Sequence, residues 1–132
     1  MDRPPAGTLP LQGWEESVLR HILRAEPDAA LATQLAGARV VSRGWVGPAW
    51  CIRLVAPSGA FPASRGAVFG GHTFGRIEGC DARAAFTLHL DDRGWVSHCL
   101  AFLEDDSPWP RDPSGLAPRP VLQVWSEDRR AD

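Results

Sequence analysis

The feature that constrains this chain most is an alternation of apolar and polar residues around a turn signal. It lies in residues 84–110, AAFTLHLDDRGWVSHCLAFLEDDSPWP. Phe86, Leu88 and Leu90 alternate with Thr87, His89 and Asp91. Successive side chains of a strand point to opposite faces, so a period of two means a strand with one dry face. On the return, Val96, Leu100 and Phe102 alternate with Trp95, Ser97, Cys99 and Ala101. Between the two runs lies Asp91-Asp92-Arg93-Gly94, with turn-forming aspartates and a glycine free to take positive φ. The pattern predicts an antiparallel hairpin.

Parity fixes its expected register. If Asp91 faces Trp95 across a three-residue loop, Leu90 meets Val96, Leu88 meets His98 and Phe86 meets Leu100. A loop shorter by one residue mixes the faces, which a buried face forbids. The expectation is therefore Gly94 in the left-handed region, with even-numbered side chains from 86 to 102 pointing inward. His98 then falls on the dry face, as a hydrogen-bonded core histidine.

The rest of the chain reads as material packed on this hairpin. Residues 14–25 are an amphipathic helix, with Trp14, Val18, Leu19, Ile22 and Leu23 on one half of the wheel. Glu15 and Glu16 in its first turn and Arg24 in its last suit the helix dipole. Pro27 ends it, Asp28 can cap a second helix over 29–36, and Gly37 is a natural stop. Strands follow over 39–43 and 49–55, the latter with Trp50, Ile52 and Leu54 on one face and Cys51 and Arg53 on the other. Residues 68–78 form a strand broken at Gly70, Gly71 and Gly75. Residues 121–125 form a last, edge strand. Helices first and antiparallel strands after predict an α+β fold, with two N-terminal helices on one face of a five- or six-stranded, mainly antiparallel sheet. Residues 13–126 are expected to be one domain, between flexible ends at 1–12 and 127–132.

Charge and cysteines narrow the function classes. Net charge is −2, and all fourteen basic residues are Arg. Such a balance gives no footprint for nucleic acid or an anionic membrane. Cys51, Cys80 and Cys99 are odd in number and widely spaced, which points to free thiols in a reducing cytoplasm. There is no secretory leader pattern and no apolar run long enough to span a bilayer. His21, His72, His89 and His98 show no ligand spacing, so no metal or other cofactor is expected.

Two constellations stand out. In the expected register His89 and Cys99 share a face, with Asp91 two residues on, a nucleophile–base–carboxylate grouping. The opposing reading is a small buried Cys and a solvated His. The second constellation is acidic: Glu104, Asp105 and Asp106 at one end of the hairpin, Asp91 and Asp92 at the other, with Trp95 and Trp109 near them in sequence. Carboxylates beside large aromatics suit recognition of a basic protein partner. The opposing reading is a solvated turn with Trp109 plugging the core.

Ala38-Arg39-Val40-Val41-Ser42-Arg43, then Gly47 and Trp50, Phe86-Thr87-Leu88, Gly94, Leu103-Glu104 and Trp109-Pro110 carry a resemblance. Over residues 14–110 the chain looks like a set of small bacterial proteins with the pattern A-R-V-V-S-R, G-x-x-F-x-L, L-E and W-P. It departs from them at Asp105-Asp106, where they carry Gly and an aromatic. In size and character that set is similar to the immunity proteins of bacterial toxin systems. The resemblance implies a cytoplasmic protein-binding module that is not an enzyme and acts by occupying a partner, such as a basic toxin. The alternatives are a small enzyme or ligand-binder using His89, Cys99 and Asp91 on the open sheet face, and a subunit that self-associates through its edge strand.

Overall fold

The computed structural model describes residues 6–127. In chain order the elements are α1 (Gly13–Ala25), α2 (Ala29–Leu35), β1 (Arg39–Val46), β2 (Ala49–Val55), β3 (Val68–Arg76), β4 (Ala84–Leu90), β5 (Val96–Leu103) and β6 (Gln123–Ser126). The strands form one six-stranded sheet in the order β1-β2-β5-β4-β3-β6, and every pairing is antiparallel. The helices pack on one face of it, so the fold is α+β.

Both helices start on side-chain caps. The Gln12 side chain and Glu15 form a capping box at α1, and Asp28 accepts from the Leu31 N–H at α2. Val18, Leu19 and Ile22 of α1 bury against Phe86, Leu88, Leu54 and Leu103 in one core. Glu15 is buried as well. Its carboxylate takes both arms of Arg43 on β1, at 2.8 and 2.7 Å, and tethers the start of the helix to the sheet. α2 is held to the hairpin by the fully buried Gln34. Its amide nitrogen donates to the Phe61 and Gly94 carbonyls, and its oxygen accepts from the Val96 N–H. Every polar atom of that side chain is thus spent.

The segment expected to fray before α1 is paired where it is described: Leu9 and Val40 exchange two backbone hydrogen bonds, each of 2.8 Å. At the other end, Glu127 donates to the His72 carbonyl and pairs with Arg83. The remainder of the two expected flexible ends, residues 1–5 and 128–132, lies outside the described residues.

The hairpin turn is the expected one. The Asp91 N–H bonds to the Trp95 carbonyl, and Gly94 sits at φ +87. A Cβ there would lie 2.3 Å from the Ala63 carbonyl oxygen, so glycine is required twice over. Leu90 pairs with Val96 as expected. The register then shifts: His89 pairs with His98, Leu88 with Cys99, and Phe86 with Ala101. Ser97 is the extra residue of a β-bulge. Phe86, Leu88 and Leu90 point inward as predicted, but beyond the bulge the inward residues of β5 are Cys99, Ala101 and Leu103. The expectation that His98, Leu100 and Phe102 face the core is therefore overturned. One inserted residue reverses the parity of the rest of the strand.

Candidate functional site

Pairing across the sheet sorts the face opposite the helices into rows, because directly opposed residues share a side. One row runs Ser42, Arg53, His98, His89, Val68. The next runs Gly44, Cys51, Leu100, Thr87, Gly70, and the third runs Phe102, Ala85, Phe74, Trp125. Leu100, Phe102 and Trp125 are half-buried, and Val46 at the corner is exposed. None of the six strands contains an Asp or Glu.

The first row holds the chemistry. The imidazoles of His89 and His98 stack with ring centroids 4.6 Å apart and planes 6° apart. The Thr87 hydroxyl meets His89 Nε2 at 2.8 Å, and the Ser97 hydroxyl meets His98 Nδ1 at 2.9 Å. The bulge makes the second contact possible by turning adjacent side chains to one side. Burial lowers the pKa of both histidines. The neighbouring His89 and the Arg53 guanidinium lower that of His98 further. Each ring keeps one nitrogen, His89 Nδ1 and His98 Nε2, that neither hydroxyl occupies.

The nucleophile grouping does not form. His89 lies on the helix-free face, whereas Cys99 pairs with Leu88 and points into the core at 2 % exposure. Burial pushes the Cys99 thiol up to about 12, the reverse of what an attacking thiolate needs. Asp91 spends its carboxylate on the Arg93 and Trp95 N–H groups of the turn. The His89/Cys99/Asp91 reading fails because the bulge rotated one member away.

The acidic residues also part company. Asp91 and Asp92 sit at one end of β5, and Glu104, Asp105 and Asp106 at the other. Eight residues of strand separate them, about 25 Å. Glu104 is held by both arms of Arg83, at 2.7 and 3.2 Å. Asp105 accepts from the Ser107 N–H, which holds its carboxyl below the usual range. Asp106 takes the left-handed backbone of the turn, at φ 65. Trp109 is only 1 % exposed, stacked on Trp14 and edge-on to Phe86, and Trp95 is half-buried. Trp109 thus has no surface to give a partner and plugs the core instead.

Two further hollows exist. One, of about 360 Å³, lies between the helices and is lined by Leu11, Leu19, Leu23 and Leu35 with Glu16 and Arg20. The other, of about 350 Å³, continues the helix-free face past Trp125 to Arg76, Arg83 and Cys80. β6 does lie at the sheet edge, but it has four residues, and short edge strands resist edge-to-edge pairing.

Sequence reasoning put His89 on the open sheet face but missed the Arg53–His98–His89 row, because the bulge hid the parity of β5. The signal that could have found it is the run Arg53, His89, His98 without any acidic strand residue. Among the described residues, no group of three or more His, Cys, Asp or Glu could hold a metal ion, and no helix is long and apolar enough to cross a membrane. Comparison with known proteins finds no matching family model, curated protein or solved structure.

Proposed function

We propose that the chain is a protein-binding module, immunity-like in acting by occupying its partner, and that its surface is the helix-free sheet face. One observation carries this: Leu100, Phe102 and Trp125 stand half-buried in registered rows, with Arg53 in the row next to Leu100, and among the described residues no helix or strand lies over them. Apolar centres with Arg and aromatic residues are the composition of recognition surfaces. Six strands at about 4.8 Å spacing and about 20 Å of strand length give roughly 500 Å² in plan. That is the larger part of the ~800 Å² per side of a standard interface. The acidic corner is the weaker surface, because turn hydrogen bonds and Arg83 already engage Glu104 and Asp105.

Affinity capture from the native host tests the reading. The wild-type chain should retain a protein that Leu100→Asp loses and Asp106→Asn keeps, with all variants folded by circular dichroism. Loss by Asp106→Asn instead would move the surface to the acidic corner. Retention of nothing by the wild-type chain would overturn the module.

A further inference from the structure

We infer that the partner segment seated on the helix-free face is an acidic polypeptide, with a carboxylate over the Arg53–His98–His89 row and apolar side chains over Leu100 and Phe102. This rests on the binding-module reading and names its ligand chemistry. It reverses the charge of the partner expected from the acidic corner.

The first support is the charge of the face. The strands carry Arg53, Arg76, His89 and His98 on or beside this surface and not one carboxylate, although the whole chain is net negative. The carboxylates sit instead in helices, turns and ends. Arg83, whose guanidinium lies 3.7 Å over the Phe74 ring, is already paired with Glu104 and Glu127. Among the described residues Arg53 has no such pair, and it is exposed. A carboxylate is the side-chain group that a guanidinium recognises most specifically, through paired N–H donors.

The second support is the geometry of the imidazole pair. The hydroxyls of Thr87 and Ser97 hold the rings in place, leaving His89 Nδ1 and His98 Nε2 for a ligand. Parallel rings 4.6 Å apart cannot aim both in-plane lone pairs at one metal ion, but two protonated rings can each donate to an oxyanion. The groups facing the pair are Arg53 from β2, Thr87 from β4, Ser97 from β5 and Val68 from β3. None is acidic, so relative to the described residues an incoming carboxylate would be the pair's first negative neighbour. It would raise both pKa values, and binding would take up protons. Affinity should therefore grow as pH falls from about 8 to about 6, where no Asp or Glu of the partner titrates.

A nucleic-acid strand is the competing anion. The rows are mostly aliphatic or sealed: Leu100, Cys51, Ala85 and Val68, with Phe74 only 5 % exposed. Base stacking needs open rings and a cationic track. The face therefore fits a polypeptide better.

The test is a displayed random-peptide library panned on the full chain, with enriched peptides then measured in solution by fluorescence anisotropy. The expected result is enrichment of peptides with net negative charge and apolar residues. Their affinity should fall about tenfold or more in Arg53→Glu, stay unchanged in the helix-side control Arg20→Ala, and rise as pH is lowered. Arg53 is exposed, so the variant should fold; circular dichroism checks this. Enriched peptides that are neutral or basic but lost by Leu100→Asp would overturn the acidic ligand and leave the binding face standing. Peptides indifferent to both substitutions, or no enrichment over the unfolded chain, would overturn both readings. Affinity independent of pH would remove the imidazoles from the site. A labelled single-stranded oligonucleotide that binds and is lost in Arg53→Glu would replace the polypeptide with nucleic acid.

Discussion

The two faces of the sheet use polar groups in opposite ways. On the covered face the buried Glu15, Gln34 and Thr73 side chains are locked to distant parts of the chain. Glu15 holds Arg43, Gln34 ties α2 to the hairpin, and Thr73 meets Ser126, whose hydroxyl donates to the His21 carbonyl on α1. In the imidazole row of the open face the polar contacts are local, Thr87 to His89 and Ser97 to His98, between residues no more than two apart. The first arrangement fixes the fold, because loss of one partner strands the other in the dry interior. The second leaves groups positioned but uncommitted. The contrast is between polar chemistry that specifies a structure and polar chemistry held ready.

The comparison can be broken first by aromatic truncation. Trp109→Ala on the covered side should cost about 3–5 kcal/mol, since it leaves a cavity against Trp14 and Phe86. Phe102→Ala on the open side should cost about 1 kcal/mol, the loss expected for a half-buried ring. Urea midpoints read both, and equal losses would mean the faces are not different in kind. Gln34→Leu should follow at about 2–4 kcal/mol, because the Val96 N–H is left buried without an acceptor.

Thiol accessibility sharpens the contrast without changing stability. Cys99, with its thiol pushed up to about 12, should resist a maleimide until the protein unfolds, while the half-exposed Cys80 labels in the native state. Fast native labelling of Cys99 would place β5 in another register. The smallest effect concerns pH. His89 and His98 have pKa values below the ordinary 6.5, so their contribution to stability is full above that value and is lost as pH falls through the folded values. The urea midpoint should drop slightly between about pH 7 and about pH 5, and His98→Gln should flatten the drop.

Local patterning made much of the fold legible. The apolar stripe of α1, the Asp28 cap, the alternation in β2 and β4 and the glycine at 94 each act over a few residues, and the structure has them where the pattern put them. Partnerships between distant segments were not legible. Nothing local marks Glu15 as buried, because its role depends on Arg43, 28 residues away. β1 runs on to Val46, past its expected end at 43, because Gly47, at φ 58, makes a tight two-residue link to Ala49. The chain after Pro110 also returns to the core: Val121 is buried, and the Arg111 guanidinium lies 3.7 Å over the Trp45 ring. The candidate site suffered most, since its content turned on one residue of parity in β5.

That single residue has a consequence for how the hairpin can vary. Ser97 works as a phase shifter: upstream of it the strand keeps time with the turn, and downstream it keeps time with the core. Deleting it would spare the composition and every propensity, yet swing Cys99, Ala101 and Leu103 to solvent and bring His98, Leu100 and Phe102 inside. Between residues 96 and 103 this molecule therefore tolerates a change of letters more readily than a change of length.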